Sequence, residues 1–161
     1  MPIDRLMSDQ SSLGRILLVE DSANDMALTT EALQESGLAN DLTWARDGQE
    51  ALDYMYRRGS FSERPAGNPA VILLDLKMPR VDGLQVLAKL KSDEQLRTVP
   101  IVMLTSSAEE SDVARSYGLG VNAYVVKPVA FAQFVSALRE LSSFWAVINQ
   151  PPPGTVRRTE S

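Results

Sequence analysis

Two short apolar runs in this chain each stop at acid. Ile16-Leu17-Leu18-Val19 ends in Glu20-Asp21, and Val71-Ile72-Leu73-Leu74 ends in Asp75. Runs of this length, rich in branched residues and closed by polar ones, read as strands buried on both faces of a parallel sheet. In an open α/β sheet the site lies just beyond the carboxyl ends of such strands. Three carboxylates therefore meet at one end of the sheet. Left alone they repel each other, and at least one has to hold a proton. A hard divalent cation with oxygen ligands, Mg²⁺ above all, removes the conflict. The pattern points to phosphoryl chemistry at a carboxylate.

Composition narrows the choices further. The 161 residues contain no cysteine, which excludes disulfides, thiolate zinc sites and cysteine nucleophiles, and no histidine, which excludes His-based triads and a phosphohistidine of the chain's own. A formal net charge of −5 argues against non-specific binding to DNA or to an anionic membrane. No run approaches the length of a membrane span, and the start, Met1-Pro2-Ile3-Asp4-Arg5, does not look like a signal peptide. A soluble, cytoplasmic single domain is the expectation.

Along the chain, strands alternate with helical patterns. Residues 1–14, polar and serine-rich, read as a flexible leader, 15–149 as the folded domain, and 150–161, opening on three prolines, as a disordered tail. Ser22 and Asn24 are candidate caps for the first helix, with Gly37 a candidate stop. Leu42 and Trp44 mark a second strand. Residues 57–69 form a long glycine- and proline-rich loop. Pro100 to Thr105 is a fourth strand and Ala123 to Lys127 a fifth. The last helix runs from Phe131 towards Ile148. Five such units predict a flavodoxin-like, doubly wound α/β fold, a five-stranded parallel sheet in order 2-1-3-4-5 with five helices. Fold alone does not decide function.

The polar residues at the strand ends resemble one family, the receiver domains of two-component response regulators. The resemblance rests on Glu20-Asp21, Asp75, Met78-Pro79-x-x-Asp82-Gly83, Thr105 and Lys127-Pro128, and it covers residues 15–145. A narrower likeness lies in Val113, Ser116-Tyr117, Leu119, Val121-Asn122, Tyr124, the loop at 57–70 and Phe144-Trp145. These look like the single-domain regulators that partner phytochrome-type sensor histidine kinases.

The resemblance implies roles. Asp75 is the phosphoacceptor, attacking a phosphohistidine of a partner kinase. Asp21 binds Mg²⁺ directly, Glu20 through water, with Asp75 and the backbone carbonyl of Lys77 as further ligands. Lys127 neutralises a phosphoryl oxygen and Thr105 donates its hydroxyl to another. Tyr124 is the aromatic switch that follows Thr105, turning the surface of the fourth helix, fifth strand and fifth helix. The Lys127–Pro128 bond is cis. Each residue also has an ordinary reading: Glu20-Asp21 favours a helix N-terminus, Asp82 is a cap, Lys127 is a surface lysine, Tyr124 packs at a sheet edge, and proline statistics favour trans.

Lys77 and Ser107, two residues after Asp75 and Thr105, offer no carboxamide or carboxylate to orient an attacking water, which predicts slow autodephosphorylation. The sequence shows no helix-turn-helix or basic stripe after Lys127, so output is expected through a partner, a second copy or onward phosphotransfer. Phe144, Trp145, Val147 and Ile148 continue the apolar content past the sheet. They predict a homodimer contact at Phe144, Trp145 and Ile148, with folding back over the molecule as the alternative. Other readings weighed are a phosphorelay shuttle or chemotaxis-type output receiver for another sensor kinase, a flavodoxin-type carrier and an aspartyl-phosphate hydrolase. The acidic loop after strand one disfavours the flavodoxin. Lys77, where the hydrolase has a second Asp, disfavours that enzyme.

Overall fold

A computed structural model describes residues 14–35, 37 and 42–156. Strands β1 (Ile16–Val19), β2 (Leu42–Ala45), β3 (Val71–Leu74), β4 (Ile101–Thr105) and β5 (Ala123–Val126) form one parallel sheet in the order β2-β1-β3-β4-β5. Helices α1 (Ala23–Glu35), α2 (Gly48–Tyr56), α3 (Gly83–Ser92), α4 (Glu110–Gly118) and α5 (Phe131–Ser143) make the crossovers and cover both faces. The flavodoxin-like fold with its 2-1-3-4-5 order is thus present.

The strand period of two divides the core cleanly. Leu17, Val19, Ile72, Leu74, Ile101 and Met103 pack on one face with residues of α2 and α3. Their neighbours Ile16, Leu18, Val71, Leu73, Val102 and Leu104 pack on the other with Ala32, Leu33, Phe134 and Leu138 of α1 and α5. Because β1, β3 and β4 lie in the middle of the sheet, their apolar residues are buried throughout. That arrangement aligns the ends of β1 and β3 in register, Val19 opposite Leu74, and so sets the acids that follow side by side.

Several local choices fix the crossovers. The Ser22 hydroxyl accepts the Asp25 N–H at 3.1 Å and caps α1. Asp82 and Gln85 form a reciprocal capping box at the start of α3. Lys91 donates to the carbonyls of Arg97 and Val99 and to Asn122 Oδ1, all within 3.1 Å. Asn122 Oδ1 also accepts the Ile101 N–H, so one side-chain pair ties the end of α3 to the starts of β4 and β5.

Three expectations need correction. Residues 150–156 are packed, not disordered: Thr155 bridges Asn68, the Asn68 N–H donates to Gly154 at 2.9 Å, and Val156 is buried. The loop at 57–69 supplies the docking surface for them. It is itself pinned by Arg64, which lies over the Tyr54 ring and donates to the carbonyls of Tyr54, Pro65 and Gly67. Second, the last helix reaches Ile148 as expected, but as an α-helix only to Ser143 and as a π-helical turn over Phe144–Ile148. This wider turn carries Ala146 and Trp145 back onto the α1/α5 core, and the Ala146 carbonyl accepts the Gly14 N–H at 2.9 Å. Trp145 is half-buried against that core, while Phe144, Val147 and Ile148 stay exposed. Third, no peptide among the described residues is cis. Lys127–Pro128 is trans, the isomer that tertiary amides favour by about 0.5–1 kcal/mol. The remainder of the expected leader, 1–13, and of the tail, 157–161, lies outside the described residues.

Candidate functional site

The chain leaves β1 and β3 at the same end of the sheet, and carboxylate oxygens of Glu20, Asp21 and Asp75 lie within 4.8 Å of one another. Glu20 is buried, Asp75 half-buried and Asp21 exposed, so the cluster opens to solvent on one side. The Glu20 backbone is held from below. Its N–H donates to Ala45 at 3.0 Å and its carbonyl accepts the Trp44 indole N–H at 2.6 Å.

Asp75 sits on a tightly built turn. Its N–H donates to Val19, and the Gly83 N–H donates to Leu76 at 2.9 Å. A Cβ on Gly83 would collide with the Asp75 carbonyl oxygen, so only glycine lets the start of α3 approach so closely. Lys77 follows with an exposed side chain.

Thr105 and Lys127 arrive from β4 and from the end of β5. The Thr105 side chain is buried, and it acts to lower the Asp75 carboxyl. Lys127 Nζ donates to Glu20 Oε2 at 2.9 Å and to Asp25 Oδ2 at 3.2 Å. The Lys127 backbone N–H donates to the Thr105 carbonyl at 2.7 Å, which locks the two strand ends together. All five of the expected strand-end residues thus converge.

Burial dominates the electrostatics. It raises the Asp75 carboxyl above its ordinary range, and Asp21 adds to the shift. Lys127, Thr105 and the Leu76 N–H work against it without overcoming it. Burial raises Glu20 likewise, against the hydrogen bond and charge of Lys127. For Lys127, burial favours the neutral amine, but Glu20, Asp75 and Asp25 together outweigh it and the net shift is upward. Two acids held above their usual range beside a third are the mark of a site that wants positive charge. Three oxygen donors of this kind fit a hard divalent cation.

Tyr124 is half-buried against the α2/α3 core, and its hydroxyl donates to the Ser107 carbonyl at 2.8 Å. The Ser107 hydroxyl donates to Asp112 Oδ2 at 2.6 Å, and its N–H reaches Thr105 Oγ1 at 3.4 Å. Ser107 therefore connects Thr105, Tyr124 and α4. Sequence reasoning treated Ser107 only as a gap in the dephosphorylation machinery, and it missed Asp25 and Trp44 as neighbours of the site. Asp25 lies one helical turn beyond Asp21, a spacing that could have signalled it.

A doubly wound sheet with an acidic cation cluster, a hydroxyl and a lysine at its strand ends defines the class of phosphorylation-linked signalling domains. The chain belongs to the response regulator receiver domain family, whose model matches residues 16–139. Response regulator Rcp1 of Synechocystis is 39% identical over 140 residues, covering 86% of this chain and 94% of Rcp1. The bacteriophytochrome response regulator RtBRR is 59% identical, with a TM-score of 0.69 over 92% of this chain and 89% of that one. The Mn²⁺-bound form of Rcp1 superimposes with a TM-score of 0.79 at 37% identity, over 86% of this chain and 99% of that one. Receiver domains bind divalent metal, and the acidic cluster here is of that kind. Among the described residues, no helix is long and apolar enough to cross a membrane.

Proposed function

We propose that this receiver accepts a phosphoryl group on Asp75 from the phosphohistidine of a phytochrome-type sensor histidine kinase. The observation that carries the reading is the convergence of Glu20, Asp21 and Asp75 within 4.8 Å, with Lys127 bonded to Glu20 at 2.9 Å. The phytochrome partner is supported by the likeness to RtBRR and Rcp1.

Asp75, as carboxylate, attacks phosphorus; the P–N bond breaks as the P–O bond forms, and the imidazole, already protonated on its other nitrogen, leaves as the neutral ring with the P–N electron pair. Glu20, Asp21, Asp75 and the Lys77 carbonyl would hold Mg²⁺, which supplies charge neutralisation for the phosphoryl oxygens when bound. Lys127 offers a donor to one phosphoryl oxygen and Thr105 to another. Thr105 leaving its contact with the Ser107 N–H shifts the loop that Tyr124 holds through the Ser107 carbonyl. The surface of α4, β5 and α5 then carries the output. The protein works as a cytoplasmic phosphoacceptor without substrate turnover and without DNA binding. It acts as a homodimer through the apolar face at Phe144, Trp145 and Ile148.

Phosphotransfer profiling against purified sensor kinases, with Asp75→Asn as control, tests the partner. Transfer is expected fastest from a phytochrome-type kinase and absent in the variant. Faster transfer from kinases of another sensory class favours the relay or chemotaxis-type reading.

A further inference from the structure

Lys127 is held by two carboxylates, and only one belongs to the cation cluster. Its ammonium group has three N–H donors. One goes to Glu20 at 2.9 Å and one to Asp25 at 3.2 Å. The lysine side chain is 14% exposed and Glu20 5%, whereas Asp25 is 39% exposed on the first turn of α1. Asp25 is not the helix cap, because Ser22 accepts the cap hydrogen bond from the Asp25 N–H. Its backbone is fixed on both sides, since its carbonyl accepts the Thr29 hydroxyl at 2.8 Å. The carboxylate is thus presented from a rigid turn to a lysine that must serve a different group, the phosphoryl on Asp75.

We infer that Asp25 is the positioning residue of Lys127, orienting its ammonium so that the third N–H remains for the phosphoryl oxygen. Glu20 cannot do this alone, because it also belongs to the trio that takes the cation. Asp25 lies outside that trio and keeps its oxygen for Lys127. The inference rests on Asp75 being the phosphoacceptor, and it assigns Asp25 no contact with phosphorus or metal.

The ordinary reading of Asp25 is an acid that favours a helix N-terminus. A double-mutant cycle separates the two. Labelling of Asp75 by a small acyl phosphate in Mg²⁺ is measured for the parent, Asp25→Ala, Lys127→Met and the double variant. Asp25→Ala is expected to slow labelling about fivefold when Lys127 is present and to have no effect in the Lys127→Met background. Asp25→Asn, which keeps an acceptor oxygen, is expected to lose less. Equal slowing in both backgrounds, or none in either, overturns the inference. The same cycle read by urea denaturation without metal is expected to be non-additive; additive losses there also overturn it. A parent protein that takes no label at Asp75 overturns the proposed function, and the urea cycle then still decides whether Asp25 holds Lys127.

Discussion

At the residue scale, Asp75 carries a conflict that the fold tolerates for function. Its carboxyl is raised by burial, so the folded chain binds its proton more tightly than the unfolded chain does. The stability this group contributes is present below the ordinary carboxylate pKa and is lost as pH rises through the raised value. Glu20 has the same sign. Without metal, Asp75→Asn should therefore melt a few degrees above the parent at neutral pH, and the gain should shrink on acidification. Thermal denaturation across pH checks it; a variant no more stable than its parent at neutral pH contradicts the reading. Mg²⁺ should stabilise the parent more than the variant. Ser107 carries a second prediction. Its hydroxyl is engaged by Asp112 and the Lys77 side chain is exposed, so neither orients water at the site. The acyl phosphate should be long-lived, and Lys77→Asn or Ser107→Glu should shorten its lifetime. Rapid loss in the parent, unchanged in both variants, would count against this.

At the element scale, β1, β3 and β4 were legible because burial on both faces leaves an unmistakable apolar run, and the acids that end β1 and β3 sit where a parallel sheet collects its ligands. Asp82 as a cap and Ser22 as another were legible from turn chemistry. Other features depend on contacts that no local pattern records. The stretch at 150–156 reads as part of a disordered tail by its prolines, yet its place is set by Asn68 and by a loop that Arg64 folds. The π turn after Ser143 decides which of Phe144, Trp145 and Ile148 face inward, and apolar content alone does not specify that rotation. Asp25 looked like any helix-start acid because its partner is 102 residues away. Gly83 shows how an element can serve the site at a distance. Gly83→Ala should cost about 1–3 kcal/mol in urea denaturation through the clash with the Asp75 carbonyl. It should also slow labelling of Asp75, because the turn that aims the carboxylate must shift. Parent-like stability would show that the turn yields freely.

At the scale of the whole molecule, the acids, the hydroxyl and the lysine occupy the carboxyl end of the sheet, and one group of exposed apolar residues closes the last helix. Phe144, Val147 and Ile148 lie at the end of α5, with Phe144 set edge-on to the partly buried Trp145 at 5.1 Å. Phe144→Ser with Ile148→Ser should reduce the sedimenting mass from dimer to monomer while leaving phosphorylation of Asp75 intact. A parent dimer unchanged by both substitutions would place the contact elsewhere.

Whether Asp75 is the phosphoacceptor is decided by mapping the phosphoryl group after treatment with a small acyl phosphate and Mg²⁺. The prediction is a single phosphoryl group on Asp75, absent when the metal is chelated and absent in Asp75→Asn. Stable label on another residue, or none on Asp75 with metal present, would contradict it.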